Sequence, residues 1–73
     1  MSCVVEDANQ AAIKKWGKHR PGDAAAEFRH CMRLYGYPVR LDRKKWKVLT
    51  SRDTAAERLA YIEDLLLIQG NAR

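Results

Sequence analysis

Every glycine and proline in this chain falls at one of three places: Gly17, Pro21 and Gly22; Gly36 and Pro38; and Gly70. Glycine loosens the backbone and proline removes a donor, so these points break regular structure and leave only short pieces between them. With 73 residues in all, the pieces must assemble into one small domain. A core of that size rarely supplies more than about 3–5 kcal/mol of net stability, which leaves little for a deep catalytic cleft. The 47% hydrophobic and 32% charged content suits a globular chain and argues against wholesale disorder or low-complexity material. The longest apolar run, Leu65–Ile68, is far too short to span a bilayer. Met1–Glu6 has neither the basic nor the long apolar region of a secretory signal. Cys3 and Cys31 are too few for a disulfide framework, so two reduced thiols in a cytosol are expected.

Ahead of the first break, Glu6–Trp16 can form a short helix, with Glu6 and Asp7 at its positive end and Lys14 and Lys15 at its negative end. About ten isolated helical residues are marginal in water. With thin apolar content, residues 1–21 are therefore expected to behave as a flexible basic arm that becomes ordered on a partner. The compact domain is expected over residues 22–73. Asp23 is a good N-cap for a helix over 24–35, in which Phe28, Cys31, Met32 and Tyr35 share one face. Gly36 supplies a left-handed cap at its end, and Pro38 keeps the helix from resuming. Tyr37, Val39 and Leu41 then alternate with Pro38, Arg40 and Asp42, and Trp46 and Val48 alternate with Lys45 and Lys47. That pattern predicts a β-hairpin over 38–49 turning near Asp42–Lys44, its apolar face laid on a helix. No Asn-Gly or Asp-Gly pair marks the turn, and the alternative is a loop leading into a short helix at Arg43–Leu49. Thr54-Ala-Ala-Glu57 is a capping box, with Asp53 a competing N-cap. It opens a helix with a Leu59, Ile62 and Leu66 stripe, joined by Ala55 and Leu65 and ended by Gly70–Asn71. Leu67 and Ile68 exceed one stripe and must be packed under the hairpin or used in an interface. The expected fold is α+β: a single helix–β-hairpin–helix domain with a flexible basic N-terminal arm.

Charge narrows the function. The net charge is +5, with a pI near 9.6. From Lys14 to Arg52 there are twelve basic residues against three acidic ones, Asp23, Glu27 and Asp42. From Asp53 to Ala72 there are four acids and a single base, Arg58. A small protein polarised in this way docks on oppositely charged surfaces, whether nucleic acid or an acidic protein face.

Catalytic patterns are missing. His30 and Cys31 are neighbours on a helix, so their side chains diverge by about 100° and do not form a nucleophile–base pair. Cys31 on an apolar face reads as a small hydrophobe, and Glu63–Asp64 as a solvated pair. Cys3, His19, His30 and Cys31 lack any CxxC or HxxxH spacing, so no metal is expected. No phosphate-cradling loop is present, and no cofactor is implied.

Two features favour binding. Arg40, Arg43, Lys44, Lys45 and Lys47 cluster around Trp46, either as a plain solvated face or as a docking ridge. Such a ridge suits nucleic-acid phosphates or an acidic, partly apolar protein groove. Trp46 itself reads as a core residue of the hairpin. The arm carries the apolar Val4, Val5 and Trp16, with Trp16 set among Lys14, Lys15, Lys18 and Arg20. Trp16 either folds back on the body or serves as an anchor on a partner.

The opening MSCVVEDANQAAIKKW, the basic YPVRLDRKKWKVL stretch and the terminal TAAERLAYIEDLLLIQG resemble the small transcription regulators of lytic phages of plant-pathogenic bacteria, proteins that target host RNA polymerase. The resemblance covers the full chain and carries no family-wide motif. It implies a non-enzymatic monomer in the host bacterial cytoplasm that binds RNA polymerase near the N-terminal part of β′, beside the RNA exit channel and the β flap. It also implies a block of σ-dependent initiation, and antitermination aided by the elongation factor NusA with nascent RNA nearby. Residues Val4, Val5, Lys14, Lys15, Trp16, Arg40, Arg43, Lys44, Lys45 and Lys47 are the expected partner contacts. The alternative is a small basic DNA-binding protein, a phage repressor or excision factor, with the hairpin as the wing of a winged helix. A plain helix-turn-helix fits poorly, because the Gly36–Asp53 link is far longer than that motif's turn and the last helix is acidic.

Overall fold

In the first sixteen residues Val5, Ala8 and Ala12 recur at intervals of three and four, and this modest stripe forms a helix by burying itself completely. The computed structural model describes residues 1–67 and contains four helices: α1 (Ser2–Trp16), α2 (Pro21–Leu34), α3 (Arg43–Thr50) and α4 (Ala55–Glu63). The segment expected as a flexible arm is thus a core helix. An isolated helix of this length is marginal, but tertiary burial of Val5, Ala8 and Ala12 supplies what propensity does not.

α2 starts earlier than its sequence suggests. Pro21 occupies the first helical position, where its missing N–H costs nothing, and Asp23 lies in the first turn, paired with Arg20 at 2.6 Å. Its apolar face buries Ala24, Ala25, Phe28 and Met32. The end is a Schellman motif: Gly36 N–H donates to Arg33 O at 2.9 Å and Tyr37 N–H to Met32 O at 2.8 Å, with Gly36 at φ +91°.

The hairpin expectation is overturned. Among the described residues there is no strand, only an isolated antiparallel bridge between Val39 and Leu66, so the fold is all-helical rather than α+β. The alternation over 39–42 is nonetheless real in burial, while Tyr37 and Pro38 are both half-buried. Val39 and Leu41 are buried, and Arg40 and Asp42 are exposed. The backbone partner of that extended segment is the 65–67 stretch: Arg40 N–H donates to Leu65 O and Leu67 N–H to Pro38 O. Residues 43–50 are helical because Asp42 is an N-cap, its carboxylate accepting from Lys45 N–H at 2.9 Å. Leu41 and Trp46 then fall at the two positions of a hydrophobic staple, and Trp46 and Leu49 at i and i+3 enter the core together. Val48, which an alternating strand would bury with Trp46, is exposed.

The capping box at Thr54 forms as read. Glu57 N–H donates to Thr54 Oγ1 at 3.1 Å and Thr54 N–H to Glu57 Oε1 at 3.2 Å, so Thr54 is the cap and Asp53 is not. α4 is shorter than expected, because Leu65 and Leu66 leave the helix to meet residues 38–40. Leu67 is exposed, and the expected helix end at Gly70–Asn71, with Ile68, lies outside the described residues. Each helix packs on two others, α1 on α2 and α4, and α3 on α2 and α4. The four close a ring in which α1 and α3 lie across from each other.

Candidate binding face and adjoining groove

α3 carries four cations in eight residues, and its amphipathic period decides where they go. With Trp46 and Leu49 buried, Lys44 falls opposite the buried side and Arg43 and Lys47 on its flank, and all three are exposed. Lys45 is half-buried and reaches back to Asp42 at 3.7 Å. That contact and the Lys45 N–H bond hold the Asp42 carboxyl below the usual aspartate range, the backbone bond being the larger cause. Arg43, Lys44 and Lys47 make no ion pair with any described residue. Arg43 and Lys44 occupy the first turn, where the helix dipole is positive and the acid at hand is the Asp42 N-cap, already engaged by Lys45. A cation there is opposed by roughly 0.3–1 kcal/mol. The Asp42 carboxylate offsets part of that cost, and Arg43 and Lys44 remain without an acid of their own among the described residues.

The face extends onto α2. The stem of Arg43 lies over Gly22, where an added Cβ would meet its Cδ at 3.9 Å. Arg29 crosses from α2 to donate to Leu41 O at 2.7 Å, pinning the loop that leads into α3. Arg40, on the extended segment just before α3, is exposed. Arg40, Arg43, Lys44 and Lys47 are thus brought to the surface within one short stretch of the fold.

The other expected contacts divide. Val5 is a fully buried core residue and Val4 packs partly against the core, so neither hangs from a free arm. Trp16 is half-buried, with Lys15 Nζ 5.7 Å and Arg20 Cζ 5.1 Å from its ring centre. It folds back on the body, while Lys14 and Lys15 remain exposed. Lys15 reaches Glu27 at 3.5 Å, which ties the end of α1 to α2.

Between the end of α1 and α3 runs a groove of about 320 Å³, lined by Ile13, Gly17, Lys18, Pro21, Trp46, Lys47, Thr50 and Ser51. Ile13 is 39% exposed there, and Trp46, although only 3% exposed, contributes to the wall. Sequence reasoning did not single out this groove, because its residues come from two stretches, 13–21 and 46–51, that meet only when the ring closes. The unpaired basic side chains of α3 were its one visible signal.

No chemistry-bearing cluster accompanies these features. Among the described residues no three His, Cys, Asp or Glu side chains come together. Cys3 is exposed; Cys31 is half-buried, its thiol donating to Glu27 at 3.8 Å. Burial, with Glu27 beside it, pushes that thiol up. No helix of the described residues is long and apolar enough to cross a membrane. No protein-family model matches the chain, and neither the curated proteins nor the solved structures contain a significant match.

Proposed function

We propose that this protein is a regulator that acts by occupancy: it docks through the exposed face of α3 on an acidic surface of bacterial RNA polymerase. The observation that carries this reading is the set of unpaired cations Arg43, Lys44 and Lys47, two of them at the helix end that disfavours them. An acidic partner relieves the mutual repulsion of these cations and gives each a counter-charge, which favours such a surface over a neutral one. The choice of polymerase rests on the resemblance of the three quoted stretches to phage transcription regulators. On that reading the site lies near the β′ N-terminus, the β flap and the RNA exit channel, in the host cytoplasm. A bound monomer there blocks σ-dependent initiation, and alongside NusA it hinders terminator hairpins from forming in the exit channel.

The second reading is direct binding to nucleic acid, for which the same exposed basic helix would contact phosphates. The winged form of that reading loses its wing, because residues 38–49 are not a hairpin. The α2–α3 link, residues 35–42, also exceeds the turn of a helix-turn-helix. Co-elution of the full chain with bacterial RNA polymerase, and separately with labelled duplex DNA, separates the two. Stoichiometric retention by polymerase is expected, together with at least a tenfold loss in a Lys44→Glu/Lys47→Glu variant whose helical signal is unchanged. Tight DNA binding without polymerase, or full retention of the variant, overturns the proposal.

A further inference from the structure

We infer that the groove between the end of α1 and α3 is a slot for an acidic peptide segment of the partner protein. One apolar side chain of that segment sits against Ile13, Pro21 and Trp46, and its flanking carboxylates meet Lys18 and Lys47. The inference rests on the reading of α3 as a docking face and gives that face its anchor.

Several observations converge on this occupant. α1 and α3 are opposite members of the ring and their backbones do not approach, so the groove follows from the architecture and not from the pose of one side chain. Its volume, about 320 Å³, is at the low end of the roughly 300–1,000 Å³ of ligand sites. That suits one or two side chains and excludes a folded element. Among the described residues, Lys18 on the α1–α2 turn and Lys47 on α3 are its only charged lining residues, both exposed, and no acid lines it. Neither lysine is ion-paired with a described residue. Lys47 also belongs to the α3 cation row, so the slot is continuous with the proposed docking face.

The polar lining favours protein over nucleic acid. Thr50 and Ser51 turn their hydroxyls back to Lys47 O and Val48 O, at 3.2 and 2.6 Å. Their donors are therefore already spent inside α3, and little is left to read a base edge. An aliphatic side chain with carboxylates on either side matches an apolar floor and two ammonium groups without leaving a polar atom unpaired.

The test uses the full ¹⁵N-labelled chain and the probe acetyl-Asp-Leu-Leu-Glu-amide, followed by amide shifts. The expected result is a set of shifts at Ile13, Lys18, Thr50 and Ser51. They should weaken at least tenfold with acetyl-Asp-Ser-Ser-Glu-amide, and at least tenfold in a Lys18→Glu/Lys47→Glu variant that keeps the native core resonances. Shifts centred elsewhere, an equal response to the serine peptide, or tighter binding of an oligothymidylate at the same amides overturn the inference. Polymerase retention is scored independently. If the chain is retained by polymerase and the peptide does not bind, the slot is refuted alone. If the peptide binds as expected and polymerase is not retained, the slot stands and the assigned partner falls.

Discussion

Asn9 shows how one residue sets a local cost. It lies on the buried stripe of α1 with Val5, Ala8 and Ala12, and its Oδ1 has no hydrogen-bond donor among the described residues. A buried acceptor without a donor costs about 1–3 kcal/mol, whereas an apolar group of the same shape costs nothing of the kind. Leucine branches at the same carbon, and the position retains 7% exposure to absorb its greater bulk. Asn9→Leu is therefore expected to stabilise the protein by about 1 kcal/mol, raising Tm by roughly 4–8 °C in thermal melts followed by circular dichroism. A lower Tm would mean that overpacking wins at this site. At the same scale, Phe28 and Trp46 fill the centre of the core, their ring centroids 5.7 Å apart and tilted by 51°. That geometry gives an aromatic contact beyond plain area burial.

At the scale of elements, the helix ends are the best-defined features. Gly36 needs its positive φ for both bonds of the Schellman motif, and a Cβ there would touch nothing within 4 Å. The whole cost of Gly36→Ala is thus backbone strain, about 1–2 kcal/mol. Urea unfolding should show a lower midpoint with an unchanged slope. An unchanged midpoint would mean that the α2 end relaxes into another cap. Such signals were legible without coordinates because they are local: the cap at Gly36 and the box at Thr54 each involve residues three to five apart. The wrong strand reading arose on equally local ground. Lys45, Trp46, Lys47 and Val48 satisfy an alternation of two, while Trp46 and Leu49 satisfy a helical spacing. Asp42 settles the conflict by capping.

For the whole molecule, the ring of helices is closed between α1 and α4 by Glu6 and Arg58, a two-pronged pair at 2.8 Å on each arm. Arg58 also donates to Arg52 O at 3.0 Å, so the same guanidinium holds the loop before α4. The hydrogen bonds from Arg58, and its charge, hold the Glu6 carboxyl below its ordinary 4.5 despite partial burial. A carboxyl whose folded value is depressed contributes stability above its unfolded value, and that stability is lost as pH falls through the folded one. Glu6→Gln should accordingly cost about 1–2 kcal/mol at pH 7. The gap from the unmodified protein should close as the pH drops below about 4.5. Urea midpoints of the two proteins at pH 7 and pH 3 check this, and a gap that persists at pH 3 would assign the effect to packing instead of charge.

The sequence by itself determined the helix end at Gly36 and the helix start at Thr54, the inward alternation of Val39 and Leu41, and the concentration of positive charge between residues 14 and 52. These depend on neighbours a few residues apart, and the energies involved are local. Only the tertiary structure decided that residues 2–16 are core, that the extended 38–40 segment meets 65–67, and that Ile13, Lys18, Pro21 and Lys47 line one groove. Each of these joins residues distant in the chain. A thin stripe such as Val5, Ala8 and Ala12 is not helical by its own propensity; it becomes so when α2 and α4 cover it and remove its apolar surface from water.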